Sequence, residues 1–133
     1  MNREEIREHS MQIIFQMDVA NEFDYSKLIP IEENAVTIEK KQTLTLLNAV
    51  RNHISDIDRV ISANLDKWSL DRIAKTDLAI LRTAVAELMY IDDVPSAVSI
   101  NEAVNLAKKY GDSKSYAFVN SVLSKVEQYI KEQ

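Results

Sequence analysis

The chain has 133 residues, 46% of them apolar, a formal net charge of −5, one glycine, two prolines and no cysteine. That length fits one domain able to bury roughly two-thirds of its unfolded surface, and the apolar share excludes a disordered chain. Absence of cysteine excludes disulfides, thiolate metal sites and a thiol nucleophile; the acidic balance excludes coating nucleic acid by bulk attraction, so any such site must be local.

The opening Met1-Asn2-Arg3-Glu4-Glu5 lacks the apolar core of a signal peptide. No apolar run approaches membrane-spanning length either, so the cytoplasm is the expected compartment. Scarce glycine and proline favour long helices with short connections. The first helix is expected over 3–20, where Ile6, Met11, Ile13, Ile14, Met17 and Val19 recur at helical spacings. Residues 21–33, with Pro30, read as a loop holding at most a short helix. From 37 to 67 the residues Leu44, Leu47, Val50, Ile54, Ile57, Ile61 and Leu65 form the strongest amphipathic stripe, expected as the central helix with a break near Ser55 left open. Ser69 is placed to cap a helix over 70–90, which Asp92-Asp93-Val94-Pro95 stops. The next helix covers 96–110, opened either by Pro95 in its first turn or by a Ser99/Glu102 capping box. Gly111 follows Lys108-Lys109-Tyr110, where a left-handed cap is expected, and the last helix runs over 114–131. An all-α bundle of about five to seven helices, forming one domain over 1–133, is the simplest architecture.

Catalytic chemistry has little to build on. His53 and Asp56 could share a helix face, but Asp58 points elsewhere, and two ligands make a poor metal site. His9 stands alone, no serine lies in a nucleophile motif, and one glycine cannot make a phosphate-binding loop. No enzyme, metal or cofactor is expected. Trp68 reads as a core lid, Arg82 as a structural ion pair or a cap on a neighbouring helix end, and Asn101 with Glu102 as ties between helix ends. The aromatics Phe15, Tyr110 and Phe118 stand out, because the last two flank Gly111-Asp112-Ser113-Lys114-Ser115. That loop offers hydroxyls, a cation and helix N-terminal amides suited to phosphate. Simple core filling is the equal alternative for the three rings.

Several linked motifs resemble the NusB family. Downstream they are Asp93-Val94-Pro95, Ile100-Asn101-Glu102-Ala103-Val104, Leu106-Ala107-Lys108-Lys109-Tyr110-Gly111 and Phe118-Val119-Asn120-Ser121-Val122-Leu123. Upstream, Trp68-Ser69-Leu70-Asp71-Arg72-Ile73, Ile80-Leu81-Arg82 and Ala86-Glu87-Leu88 resemble the family's middle segment. The resemblance covers about 66–126, and the first helix weakly through Gln12 and Phe15.

It implies an all-α fold of two packed helical halves. It also implies binding of boxA-type single-stranded RNA together with NusE, a small-subunit ribosomal protein, in read-through of terminators during ribosomal RNA transcription. By position Phe15, Asp77, Tyr110 and Phe118 match family residues at the RNA surface, with Lys114 in the adjoining loop. The family's arginine-rich opening is represented by Arg3 and Arg7, interspersed here with Glu4, Glu5 and Glu8, so RNA affinity without a partner is expected to be weak. Ser121 stands where the family often has glycine. A NusB-like domain fused to a ribosomal RNA methyltransferase is the wrong size, so a free-standing factor is expected, monomeric or weakly dimeric when alone. The alternative is a protein–protein module of the same fold with little or no RNA binding.

Overall fold

The structure, a computed structural model, describes residues 2–28, 38–67 and 69–133. Trp68 and the stretch 29–33 of the expected loop lie outside the described residues. Five α-helices follow in order: α1 (Arg3–Ala20), α2 (Ile38–Ala63), α3 (Lys75–Tyr90), α4 (Ser96–Tyr110) and α5 (Ser115–Lys131), with single 3-10 turns at Tyr25–Lys27 and Leu70–Arg72. There is no strand among the described residues, and no described helix is long and apolar enough to cross a membrane.

The local signals explain most of the boundaries. The Asn2 side chain accepts a hydrogen bond from the Glu5 amide, and Glu4 and Glu5 place negative charge at the start of α1, where the helix dipole favours it. At its other end Asn21 is left-handed, with φ 51° and ψ 42°. Its amide bonds the Asp18 carbonyl and the Glu22 amide the Met17 carbonyl, the paired closure in which asparagine substitutes for glycine. The left-handed cap is therefore at Asn21, not at Gly111, whose φ of −89° and ψ of −176° are extended. The irregularity in α2 sits at His53, two residues before Ser55, where φ is −131° and ψ 21°. The His53 ring stacks on Tyr90 with centroids 4.0 Å apart.

Ser69 does not cap a long helix. Its hydroxyl is spent on the Asp71 carboxylate, the chain makes one 3-10 turn and then extends through Ile73 and Ala74, so α3 begins only at Lys75. Pro95 occupies the position just before α4, and the Val98 and Ser99 amides bond its carbonyl. Ser99 forms no capping box. It is buried, and its hydroxyl donates to Glu87 at 3.2 Å.

The expected central helix is also corrected. α2 does bury its stripe, with Leu47, Val50, Ile57 and Ile61 inside, but α3 is the hub and packs against all four other helices. Every residue from Asp77 to Glu87 is buried. A strong stripe marks a helix with one wet side, whereas a helix enclosed on all sides has no face on which to segregate polar residues. α1 and α2 pack on each other and on α3; α4 and α5 form a closely packed pair on α3, giving the two helical halves.

A helix so enclosed must satisfy its own charges internally. Arg82 donates to both oxygens of Asp58 in α2 at 2.9 Å, comes within 3.5 Å of Asp18 in α1, and lies 5.0 Å over the Phe23 ring. Glu87 receives Arg7 of α1 at 2.6 and 2.9 Å as well as Ser99 of α4. Removing one member of a buried pair strands the other charge, so Arg7→Ala should lower stability by about 3–5 kcal/mol. Replacing both Arg7 and Glu87 by apolar residues of similar volume should recover much of that loss. Urea denaturation of the three proteins checks this.

Candidate nucleic-acid interface

The α4–α5 loop is built from its own side chains. Asp112 accepts the Lys114 amide at 2.8 Å and, by its carbonyl, the Ser115 amide at 3.2 Å. The Ser115 hydroxyl accepts the Asp112 amide at 3.1 Å and donates to Asp77 of α3 at 3.1 Å. This bond ties the start of α5, one turn before Phe118, to the hub helix.

Gly111 is required here for space rather than for backbone freedom. A Cβ on it would collide with the Ser115 side chain and lie 2.8 Å from the Ala107 carbonyl oxygen. The lone glycine thus lets the loop close over the Ser115–Asp77 bond.

Asp77 is 8% exposed, and its Oδ1 has no hydrogen-bond partner among the described residues. Burial pushes its carboxyl above the usual range, the Ser115 hydrogen bond opposes this, and the nearby Asp112 charge adds to it.

Across the loop, Tyr110 leans on α1. Glu8, Gln12 and Phe15 are spaced four and three apart and so share one face of that helix. The Tyr110 hydroxyl bonds the Glu8 carboxylate and receives Gln12 Nε2 at 3.1 Å. Lys109 adds an ion pair to the same Glu8 oxygen at 2.6 Å and stands 5.3 Å from the Tyr110 ring centre. Hydrogen bonds from Lys109 and then Tyr110 hold the Glu8 carboxyl below the usual carboxylate range.

Tyr110 remains 39% exposed, whereas Phe15 and Phe118 are half-buried against the edge of the core. Lys114 is exposed and makes no ion pair among the described residues. Arg3 is exposed and pairs with Asp93 at 3.0 Å.

Two expected surface residues lie inside. Arg7 is buried and committed to Glu87, and Asp77 is buried beneath the loop. Arg7 is paired within the fold and Asp77 is held by a hydroxyl, neither of which the side-chain type alone reveals.

The His53, Asp56 and Asp58 side chains go three ways, to Tyr90, Arg59 and Arg82, and no cluster of three metal-ligating groups occurs among the described residues. The expected ion pair at Arg82 is present, with Asp58. His9 is exposed, as is Asn101.

Comparison with known proteins bears on this arrangement directly. Residues 4–128 match the family model described as the NusB family. The chain belongs to the NusB family. It is 45% identical over 131 residues to the transcription antitermination protein NusB of Oceanobacillus iheyensis, covering 95% of this chain and 98% of that one. Among solved structures it is similar to T. maritima NusB, with a TM-score of 0.87 and 30% identity over 96% of this chain and 92% of that one. It is also similar to a chain in the crystal structure of antitermination factors NusB and NusE in complex with double-stranded RNA. There the TM-score is 0.80 and the identity 25%, over 96% of each chain.

The NusB match thus extends through α1, where the sequence motifs were weakest. Glu8, Gln12 and Lys109 enter the sequence reading only through the family motifs and the charge of the first helix, not as site residues. The spacing of the first two with Phe15 is readable as one helix face, but Tyr110, about a hundred positions away, is not readable as its neighbour.

Two outcomes test the geometry. Because the folded Asp77 carboxyl titrates above its unfolded value, stability is favoured below the unfolded value, about pH 4, and lost as pH rises through the folded one. Asp77→Asn should therefore gain stability relative to wild type on going from pH 3 to pH 7, read by urea denaturation at each pH. Gly111→Ala should cost about 1–3 kcal/mol by overpacking Ser115, measured by the same method at pH 7.

Proposed function

We propose that this chain is a transcription antitermination factor that binds boxA-type single-stranded RNA jointly with a NusE-type ribosomal protein. It acts as a non-catalytic adaptor in ribosomal RNA transcription and, working with RNA polymerase, in the cytoplasm. Family membership supports the antitermination role, and the relative solved with NusE and RNA supports the two partners.

The observation that carries the RNA reading is the surface around the α4–α5 loop. Exposed Tyr110 and half-buried Phe118 flank Lys114, a cation with no ion pair among the described residues, on a loop pinned to the hub by Ser115 and Asp77. Aromatic faces accept any base by stacking, and a lysine takes one phosphate as a point charge. Phe15 lies on the face of α1 that also carries Glu8 and Gln12, and Arg3, a second, carboxylate-paired cation, opens the same helix. Arg7 and Asp77 act as positioning residues, the first by locking α1 to α3 and the second by holding Ser115.

Arg3 and Arg7 are paired with carboxylates, and the whole chain carries −5. RNA affinity should therefore be weak alone and higher with the ribosomal protein, which adds phosphate-contacting charge and a shared interface.

Phe118→Ala or Tyr110→Ala should each weaken RNA binding by about 1–3 kcal/mol where a base stacks, leaving the salt dependence almost unchanged. Lys114→Ala should instead flatten the log–log salt slope by about 0.7, for one lost contact to a single strand. Titrations of boxA RNA with and without NusE, alongside melting curves for each variant, check both. Equal RNA affinity with and without NusE would overturn the adaptor reading. Aromatic variants that melt early yet bind normally while folded would make these rings core residues only.

A further inference from the structure

The cation nearest Tyr110 is not free to meet a phosphate. Lys109 is 60% exposed, but its ammonium sits 2.6 Å from Glu8 Oε1, the oxygen that also receives the Tyr110 hydroxyl. Gln12 donates to that hydroxyl from the next turn of α1 at 3.1 Å. One carboxylate therefore orients a ring suited to stacking and neutralises the positive charge 5.3 Å from its centre.

Exposed ion pairs of this kind contribute little to stability, since desolvation and side-chain entropy offset most of the attraction. Their effect on an approaching polyanion is larger. A phosphate beside Tyr110 meets a pair of net charge zero, and gains from Lys109 only after displacing Glu8.

From this geometry, and resting on the RNA-binding reading above, we infer that Glu8 is an affinity-setting residue. It masks Lys109 electrostatically and so keeps the free chain a weak RNA binder. Arg3, held by Asp93 beside the start of the same helix, shows the same pairing of an exposed cation with a carboxylate. The mask makes binding depend on whatever supplies further phosphate contacts, because only then is the displacement of Glu8 repaid.

The test is Glu8→Gln, which keeps an oxygen to accept the Tyr110 hydroxyl while removing the charge. Binding of a boxA-type single-stranded oligonucleotide is followed by fluorescence anisotropy from 50 to 200 mM salt. Wild type, Glu8→Gln, Lys109→Ala and the double variant are compared, each with and without NusE.

Without NusE, Glu8→Gln should bind roughly threefold tighter or more at the lowest salt, with the log–log slope steeper by about 0.7. The double variant should lose that gain, and Lys109→Ala alone should change wild-type affinity less than it changes that of Glu8→Gln. The melting temperature should move little. Affinity and slope equal to wild type, or weaker binding with an unchanged melting temperature, would overturn the mask and make Glu8 a support for Tyr110. If Glu8→Gln melts early, the Lys109→Ala comparison in wild type decides, since a large loss there means Lys109 was never masked. Wild type binding RNA with NusE while Glu8→Gln shows no gain defeats this inference alone. No RNA binding by any protein, with or without NusE, defeats the function proposed above as well.

Discussion

A helix enclosed by four others cannot send its charged side chains to water, and α3 carries three of them in its buried span: Asp77, Arg82 and Glu87. Each is met by a neighbour from another element. Asp77 receives Ser115 of α5, Arg82 grips Asp58 of α2 and approaches Asp18 of α1, and Glu87 holds Arg7 of α1 and Ser99 of α4. Leaving any of these uncompensated costs several kcal/mol, comparable with a good share of a small domain's net stability. Apolar packing drives the collapse; these contacts bind α3 to each surrounding helix through a particular pair of groups.

The proposed RNA surface inherits its order from this arrangement. Tyr110 ends α4, which Ser99 ties to Glu87; Phe15 lies on α1, which Arg7 ties to the same carboxylate; and Phe118 follows Ser115, which Asp77 holds. Polar contacts inside the bundle thus set where aromatic faces emerge outside it. A stacking platform placed by the core loses less entropy on binding than one on a free loop, which suits a surface with little unpaired positive charge.

Charge is distributed with economy along α1 and the α4–α5 loop. Arg3 and Lys109 are exposed yet paired with carboxylates, while Lys114 has no ion pair among the described residues. An acidic protein with masked cations resists indiscriminate attachment to nucleic acid, because counterion release is the main source of sequence-independent affinity. In the proposed function selectivity then falls to stacking, to a few local contacts and to a partner protein, which accords with the NusB relative solved together with NusE and RNA.

What the sequence determined by itself is local or cumulative. Helical periodicity repeats every few residues, so the five helices and most of their limits were legible, as was the all-α class. Linked motifs over 66–126 sufficed for the family, because their order and spacing accumulate along one line. The tertiary structure decided which helix is central, since α2 with its clear stripe reads as more important than α3, whose burial on every side erases the stripe. It also decided that Arg7 and Asp77 lie inside, that Gly111 is needed for room beside Ser115, and that Glu8 faces Lys109 and Tyr110. Those facts depend on groups 80, 38 or about a hundred positions apart being brought within hydrogen-bond reach. Distance along a chain carries no record of such meetings, because they are fixed by how whole helix faces pack and not by any segment's own preference.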